Sequence, residues 1–167
     1  MLQTKGFHCL CKRCKDPEEL GSPLGGIRCK NKSANCPGSA YPSQPLELDS
    51  DLICNLCQNV ISCDMAKMMQ DTAMNLINGK AENPKDAIEI LNNLERFLPQ
   101  SNHIMVDLKL RIIDQVIEDQ SLRGPFEDIA INFCFELLNM ARNIAPGTSK
   151  LRGMYYVLLW YLFLSTA

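Results

Sequence analysis

Seven of the nine cysteines fall between residues 9 and 57, first as Cys9-x-Cys11-x2-Cys14 and then as Cys29-x6-Cys36-x17-Cys54-x2-Cys57. Thiolates at C-x-C and C-x2-C spacing can share one ion, and four sulfurs at about 2.3 Å make a closed tetrahedral zinc site. Cys29, Cys36, Cys54 and Cys57 supply the four candidate ligands of such a site. With no open position for a catalytic water, its expected role is structural. Cys9, Cys11 and Cys14 supply only three. Their fourth partner could be His8, Cys63, Cys29 or a residue outside this chain, and His8, adjacent to Cys9, would strain to reach the same tetrahedral ion.

Other candidate chemistry is sparse. His103 opens a predicted helix and reads as a cap or surface residue, and Gly25-Gly26 reads as a turn, not a phosphate loop. Glu118-Asp119 and Glu127-Asp128 read as solvated helix ends. Cys63 reads as packing or capping and Cys134 as core. No residue is assigned a catalytic role.

The elements that must hold these thiols change character near residue 60. Residues 15–28 and 37–50 are too rich in turn formers for long regular elements, so zinc would supply folding energy there. From Ser62 the pattern is helical. A first helix, with Met65, Met68, Met69, Thr72, Ala73 and Leu76 inward, is expected to stop at Asn78-Gly79. A second starts at Asn83-Pro84 with Ala87, Ile88, Leu91, Leu94 and Leu98 inward. A third runs from about Ser101 to Glu118 on Ile104, Leu108, Ile112 and Val116. A fourth runs from Pro125 to Ile144 on Ile129, Phe133, Leu137 and Met140, and Thr148 or Ser149 caps a fifth. The expected fold is mainly α: a Cys-rich zinc-binding region over 1–61, then an antiparallel, TPR-like helical domain over 62–167.

The 167 residues are 46% apolar, enough for a core, and the formal charge of −2 gives no overall pull toward polyanions. Seven Lys/Arg lie within residues 1–32 (Lys5, Lys12, Arg13, Lys15, Arg28, Lys30, Lys32), a patch that thiolate neutralisation explains as well as a polyanion does. MLQTKGFHC lacks the apolar run of a signal peptide, so reduced thiols and an intracellular location, nucleus or cytoplasm, are expected. Met154 to Leu164 is continuously apolar but too short for a membrane span of roughly 20 residues.

The run Phe7-His8-Cys9-Leu10-Cys11-Lys12-Arg13-Cys14, followed by Asp16-Pro17-Glu18-Glu19-Leu20-Gly21, resembles the post-SET segment of the SET and MYND domain (SMYD) family, arthropod branch. Cys29, Cys36-Pro37-Gly38, Pro45-Leu46, Cys54-Asn55-Leu56-Cys57 and, late in the chain, Ala145 to Met154 follow in the family's order. The resemblance spans about residues 1–154. It implies a C-terminal fragment of an S-adenosylmethionine-dependent protein-lysine methyltransferase-like protein, with the post-SET zinc taking its fourth cysteine from the SET core. S-adenosylmethionine would then bind only the full-length parent, and this chain alone would be inactive. Phe7 would match the aromatic that walls the cofactor and lysine pocket, where its ring could screen a methylammonium. Lys5 stands where some relatives place a tyrosine. Residues 155–167, all uncharged, depart from the family's mixed-polarity helix and are expected to be an altered end with a solubility liability.

Implied partners are proteins: a histone or non-histone peptide, or a transcriptional partner. Membrane binding is not expected and nucleic acid is disfavoured. Two other readings are a stand-alone zinc-stabilised interaction module and a zinc-ribbon nucleic-acid binder, the latter requiring steep salt dependence.

Overall fold

A computed structural model describes residues 9–31 and 35–164; Lys5, Phe7, His8 and Lys32 lie outside the described residues. A short helix α1 (Lys12–Lys15) precedes four strands, β1 (Ile27–Arg28), β2 (Ser39–Pro42), β3 (Leu52–Cys54) and β4 (Val60–Ile61). Helices α2 (Cys63–Lys80), α3 (Pro84–Leu94), α4 (His103–Glu118), α5 (Gln120–Ile144) and α6 (Lys150–Leu164) follow. The fold is mainly α, as the periodicity predicts.

The strands form an antiparallel sheet in sequence order, with Ile27 opposite Ala40, Ala40 opposite Cys54 and Leu52 opposite Ile61. Periodicity holds no hint of it, because elements of two to four residues are too short for apolar alternation to show. Strands this short are marginal on their own. Ile27, Ala40, Leu52, Cys54 and Ile61 are buried in one continuous core with α2, α3 and the first half of α4. Ile113 and Val116, from the last turns of α4, join a second core with α5 and α6. Because α4 serves both cores, Ile104, Leu108, Ile112 and Val116 are all fully buried, as expected from the sequence.

Two helices turn inward a face shifted from the one expected, keeping Ala73 on α2 and Leu137 on α5 from the expected stripes. On α2 the buried residues are Ala66, Ala73 and Ile77, while Met65, Met68, Thr72 and Leu76 are exposed. On α5 they are Ala130, Cys134, Leu137, Leu138 and Ala141, with Ile129, Phe133 and Met140 only partly buried. In both, alanines are prominent among the buried residues, beside Ile77 on α2 and Leu137 and Leu138 on α5. α2 also continues past Asn78-Gly79 to Lys80. α5 starts five residues before Pro125, because Asp119 caps it by accepting from Ser121 N–H. The starts of α3 and α6 match expectation: Asn83 accepts from Asp86 N–H, and Ser149 Oγ accepts from Arg152 N–H.

The Cys-rich segment is pinned to the start of α4. Asn102, fully buried, caps α4 by accepting from Ile104 N–H at 2.9 Å while its Nδ2 donates to Gly26 O at 2.8 Å. His103 N–H donates to Leu24 O next to it. A Cβ at Gly26 would lie 2.6 Å from the Tyr41 ring, so this close approach needs glycine. Between α4 and α5 the buried Lys109 pairs with Glu136 at 2.6 Å and also donates to Gln100.

Replacing Asn102 removes a cap and strands the Gly26 carbonyl. Asn102→Ala is expected to cost about 2–4 kcal/mol in urea unfolding, whereas Ser101→Ala should change stability by less than about 0.5 kcal/mol.

Candidate metal centre

The four later thiols converge from four places on the sheet. Cys29 follows β1, Cys36 precedes β2, Cys54 ends β3, and Cys57 lies in the turn toward β4. Their sulfurs all lie within 4.8 Å of one another, with Cys29 to Cys57 at 3.5 Å and Cys36 to Cys54 at 3.7 Å. A tetrahedron with metal–sulfur bonds of about 2.3 Å has sulfur–sulfur edges of about 3.8 Å. The thiols are free, and the spacing fits a shared ion.

Backbone amides reinforce this arrangement with a repeated pattern. Asn31 N–H donates to Cys29 Sγ, Gly38 N–H to Cys36 Sγ and Leu56 N–H to Cys54 Sγ, each from two residues downstream at 3.4–3.5 Å. The Asn59 amide does the same for Cys57 and holds it down at about 6, whereas burial, with neighbouring thiols adding to it, pushes Cys29 up to about 12. Donors aimed at sulfur favour thiolate, and a dication held by all four thiolates would replace their protons. Gly38 leaves the room for this packing: a Cβ there would lie 2.7 Å from Cys54 Sγ and 3.0 Å from Asn55 Oδ1.

Cys9, Cys11 and Cys14 form a second convergent group, their sulfurs also within 4.8 Å of one another. Cys11, exposed at the N-cap of α1, is held down at about 7 by the Cys14 amide and the Cys9 side chain. Hydrogen bonds with Cys9 and then Cys11 raise Cys14 to about 11. Neither Cys29 nor Cys63 joins this group: Cys29 belongs to the other cluster, and Cys63 opens α2 with its N–H on Asp51 Oδ1 and its Sγ near Leu48 O. Among the described residues the group has three sulfurs. It borders a cleft of about 550 Å³ that Arg13, Leu24, Leu46 and Leu48 help to line.

The turn Asp16 to Gly21 joins the two clusters. The Asp16 carboxylate accepts from Glu18 N–H and Leu20 N–H, folding a turn in which Glu19, Leu20 and Gly21 all take positive φ. Glu18 Oε1 then accepts from Asn55 Nδ2, inside the Cys54-x2-Cys57 knuckle, while Glu19 pairs with Arg13 at 3.3 Å and accepts from Leu24 N–H. Asn55 is braced from its other side, where its Oδ1 accepts from Ser39 N–H. Sequence reasoning gives Asn55 and Gly38 no role of their own; a glycine two residues after Cys36 is the available signal.

Three of the early basic residues lie against helix carboxyl ends. Arg13 Nη1 donates to Ile144 O at the end of α5, Arg28 Nε to Glu95 O just past α3, and Lys30 Nζ to Arg96 O with its ammonium 3.9 Å from the Phe97 ring centre. Such carbonyl ends favour cations. Of the residues expected to play no part in chemistry, His103 is exposed with Nδ1 at 3.0 Å from Leu24 O, and burial pushes the Cys134 thiol up to about 12. Phe7, the aromatic expected beside a cofactor, lies outside the described residues.

No protein-family model matches the chain. Over 113 residues it is 36% identical to SET domain-containing protein SmydA-8, isoform B, of Drosophila melanogaster, and 35% identical to isoform A of the same protein. Each match covers 66% of this chain but 25% and 24% of those two proteins, so the chain spans about a quarter of the length of the curated relatives it matches.

Gly38→Ala should displace Cys54 Sγ and weaken metal retention at the four-sulfur group, read as faster loss of bound metal to a colorimetric chelator. Among the free thiols at neutral pH, Cys11 should alkylate early and Cys134 last, measured by mass spectrometry of iodoacetamide-treated protein. Equal labelling of the two would contradict this geometry.

Proposed function

Because this chain belongs to the SMYD-like family of SET-domain proteins, we propose that it forms the post-SET segment and helical C-terminal domain of a protein-lysine methyltransferase-like protein. On this reading residues 1–61 are the zinc-binding part and residues 62–167 a TPR-like interaction domain. The observation that carries it is the pairing of a closed four-sulfur cluster with an adjoining three-sulfur cluster, joined through Asp16, Glu18 and Asn55.

Zinc fits the four-sulfur group in ligand type, ligand number and sulfur spacing. Cys29, Cys36, Cys54 and Cys57 would hold it, and its contribution there is a cross-link between short strands, with no position left for substrate. Cys9, Cys11 and Cys14 would hold a second zinc together with a cysteine of the SET core. Methyl transfer and S-adenosylmethionine belong to that core in this reading, with Phe7 contributing an aromatic face near the lysine pocket.

The partner class proposed is protein, a histone or non-histone peptide or a transcriptional partner, in the nucleus or cytoplasm. The hydrogen bonds of Arg13, Arg28 and Lys30 to helix carbonyls favour this over a nucleic-acid role, because they commit basic side chains to the fold.

Metal analysis and a methyl-transfer assay test the reading together. The chain alone should retain about one zinc per molecule after dialysis against a mild chelator and show no turnover. A longer chain that includes the SET core should retain one more zinc, and the Cys11→Ser variant of that longer chain should lose it. Robust methyl transfer by the chain alone, or two equally firm zinc ions in it, would overturn the proposal.

A further inference from the structure

The three-sulfur group offers chemistry that the four-sulfur group does not. Cys54 is fully buried, and Cys29, Cys36 and Cys57 pack against the core. Cys11 is exposed, with Cys9 and Cys14 partly buried beside it, all three of them free thiols within 4.8 Å of one another. Lys15 N–H donates to Cys11 O at 3.2 Å, so Cys11 and Cys14 stand one helical turn apart, a separation that C-x2-C disulfides bridge. Cys9 and Cys11, two residues apart, would close a tighter and more strained ring.

The surroundings of this pair select a class of reaction partner. The nearby carboxylates of Asp16, Glu18 and Glu19 are turned onto backbone amides, Asn55 and Arg13. Lys12 and Lys15 are left exposed on the same turn as Cys11, where they favour a partner of negative charge. Cys9 and Cys14 line the cleft of about 550 Å³, which gives a small peptide room beside the thiols. We propose that Cys11 and Cys14 form a thiol–disulfide exchange site for an anionic small-molecule disulfide of the glutathione type. The Cys11 sulfur gives its proton to solvent and attacks one sulfur of the small disulfide, whose S–S bond breaks. One small thiolate leaves, takes a proton from solvent, and a mixed disulfide remains on Cys11. The Cys14 sulfur, deprotonated in the same way, then attacks the Cys11 sulfur, and the second small thiol leaves. Two protein thiols are oxidised to one disulfide while one small disulfide is reduced to two thiols. On the function proposed above, this closure takes two ligands from the zinc shared with a SET core, and reduced thiol restores them.

Peptide mass mapping tests this on the zinc-loaded chain after treatment with oxidised glutathione at fixed pH and alkylation of the remaining thiols. The expected product is a single Cys11–Cys14 disulfide, with zinc retained by the four-sulfur group. Cys14→Ser should stop at a stable glutathione adduct on Cys11, and Cys11→Ser should slow consumption of the small disulfide about tenfold. Lys12→Gln together with Lys15→Gln should slow the first step several-fold at low salt and much less at high salt. First oxidation at Cys9 or within the four-sulfur group, a glutathione adduct that the unsubstituted chain never resolves, or an undiminished rate in Cys11→Ser would overturn the proposal. A rate indifferent to both lysines would overturn the anionic class of its partner. Each of these outcomes is read on this chain alone, whereas failure of the longer chain to retain a second zinc counts only against the function proposed above.

Discussion

Four thiols lie within 4.8 Å of one another at the centre of a segment of short strands, where an ion shared between them would cross-link the chain. The strands of residues 27–61 are two to four residues long, and each contributes only one or two buried side chains. Their hydrogen-bond ladder alone would not overcome the entropy of ordering so many turns. Sulfurs at near-tetrahedral spacing, each met by an amide two residues downstream, would give this part of the chain a fixed centre once they share an ion. From that centre Ile27, Ala40 and Cys54 form the inner row of the sheet, and that row completes the core under α2, α3 and α4.

The two clusters are linked mechanically although their ligands are separate. Asp16 folds its own turn, Glu18 reaches the Cys54-to-Cys57 knuckle, and Arg13 reaches the end of α5. The position of the three-sulfur group therefore depends on both the sheet and the helical bundle. If another domain completes this site, as proposed, such support matters, since a loose set of three ligands would have to be ordered anew on every encounter.

Much of this was legible in the residues themselves. The cysteine spacings separated the chain into a group of four and a group of three, and Asn83 and Ser149 marked helix starts by their capping chemistry. α3 and α4 read well because their apolar stripes are dominated by large aliphatic residues that have only one way to be buried. α2 and α5 read less well, since two adjacent stripes on each satisfy helical spacing. The buried faces share Ala73 and Leu137 with the expected stripes and add Ala66 and Ile77 on α2 and Ala130, Leu138 and Ala141 on α5.

The sequence by itself determined the ligand chemistry, the helical class and the family resemblance, because each rests on residue type and near-neighbour spacing. Only the tertiary structure decided how Cys29, Cys36, Cys54 and Cys57 meet, across a short sheet that leaves no periodic signal, with Cys29 3.5 Å from Cys57 and Cys36 3.7 Å from Cys54. It also decided that Asn55 and Glu18 bridge the clusters, and that Arg13 and Arg28 end on helix carbonyls. Those are contacts between residues far apart in the chain, fixed by packing around α4, and no local pattern encodes them.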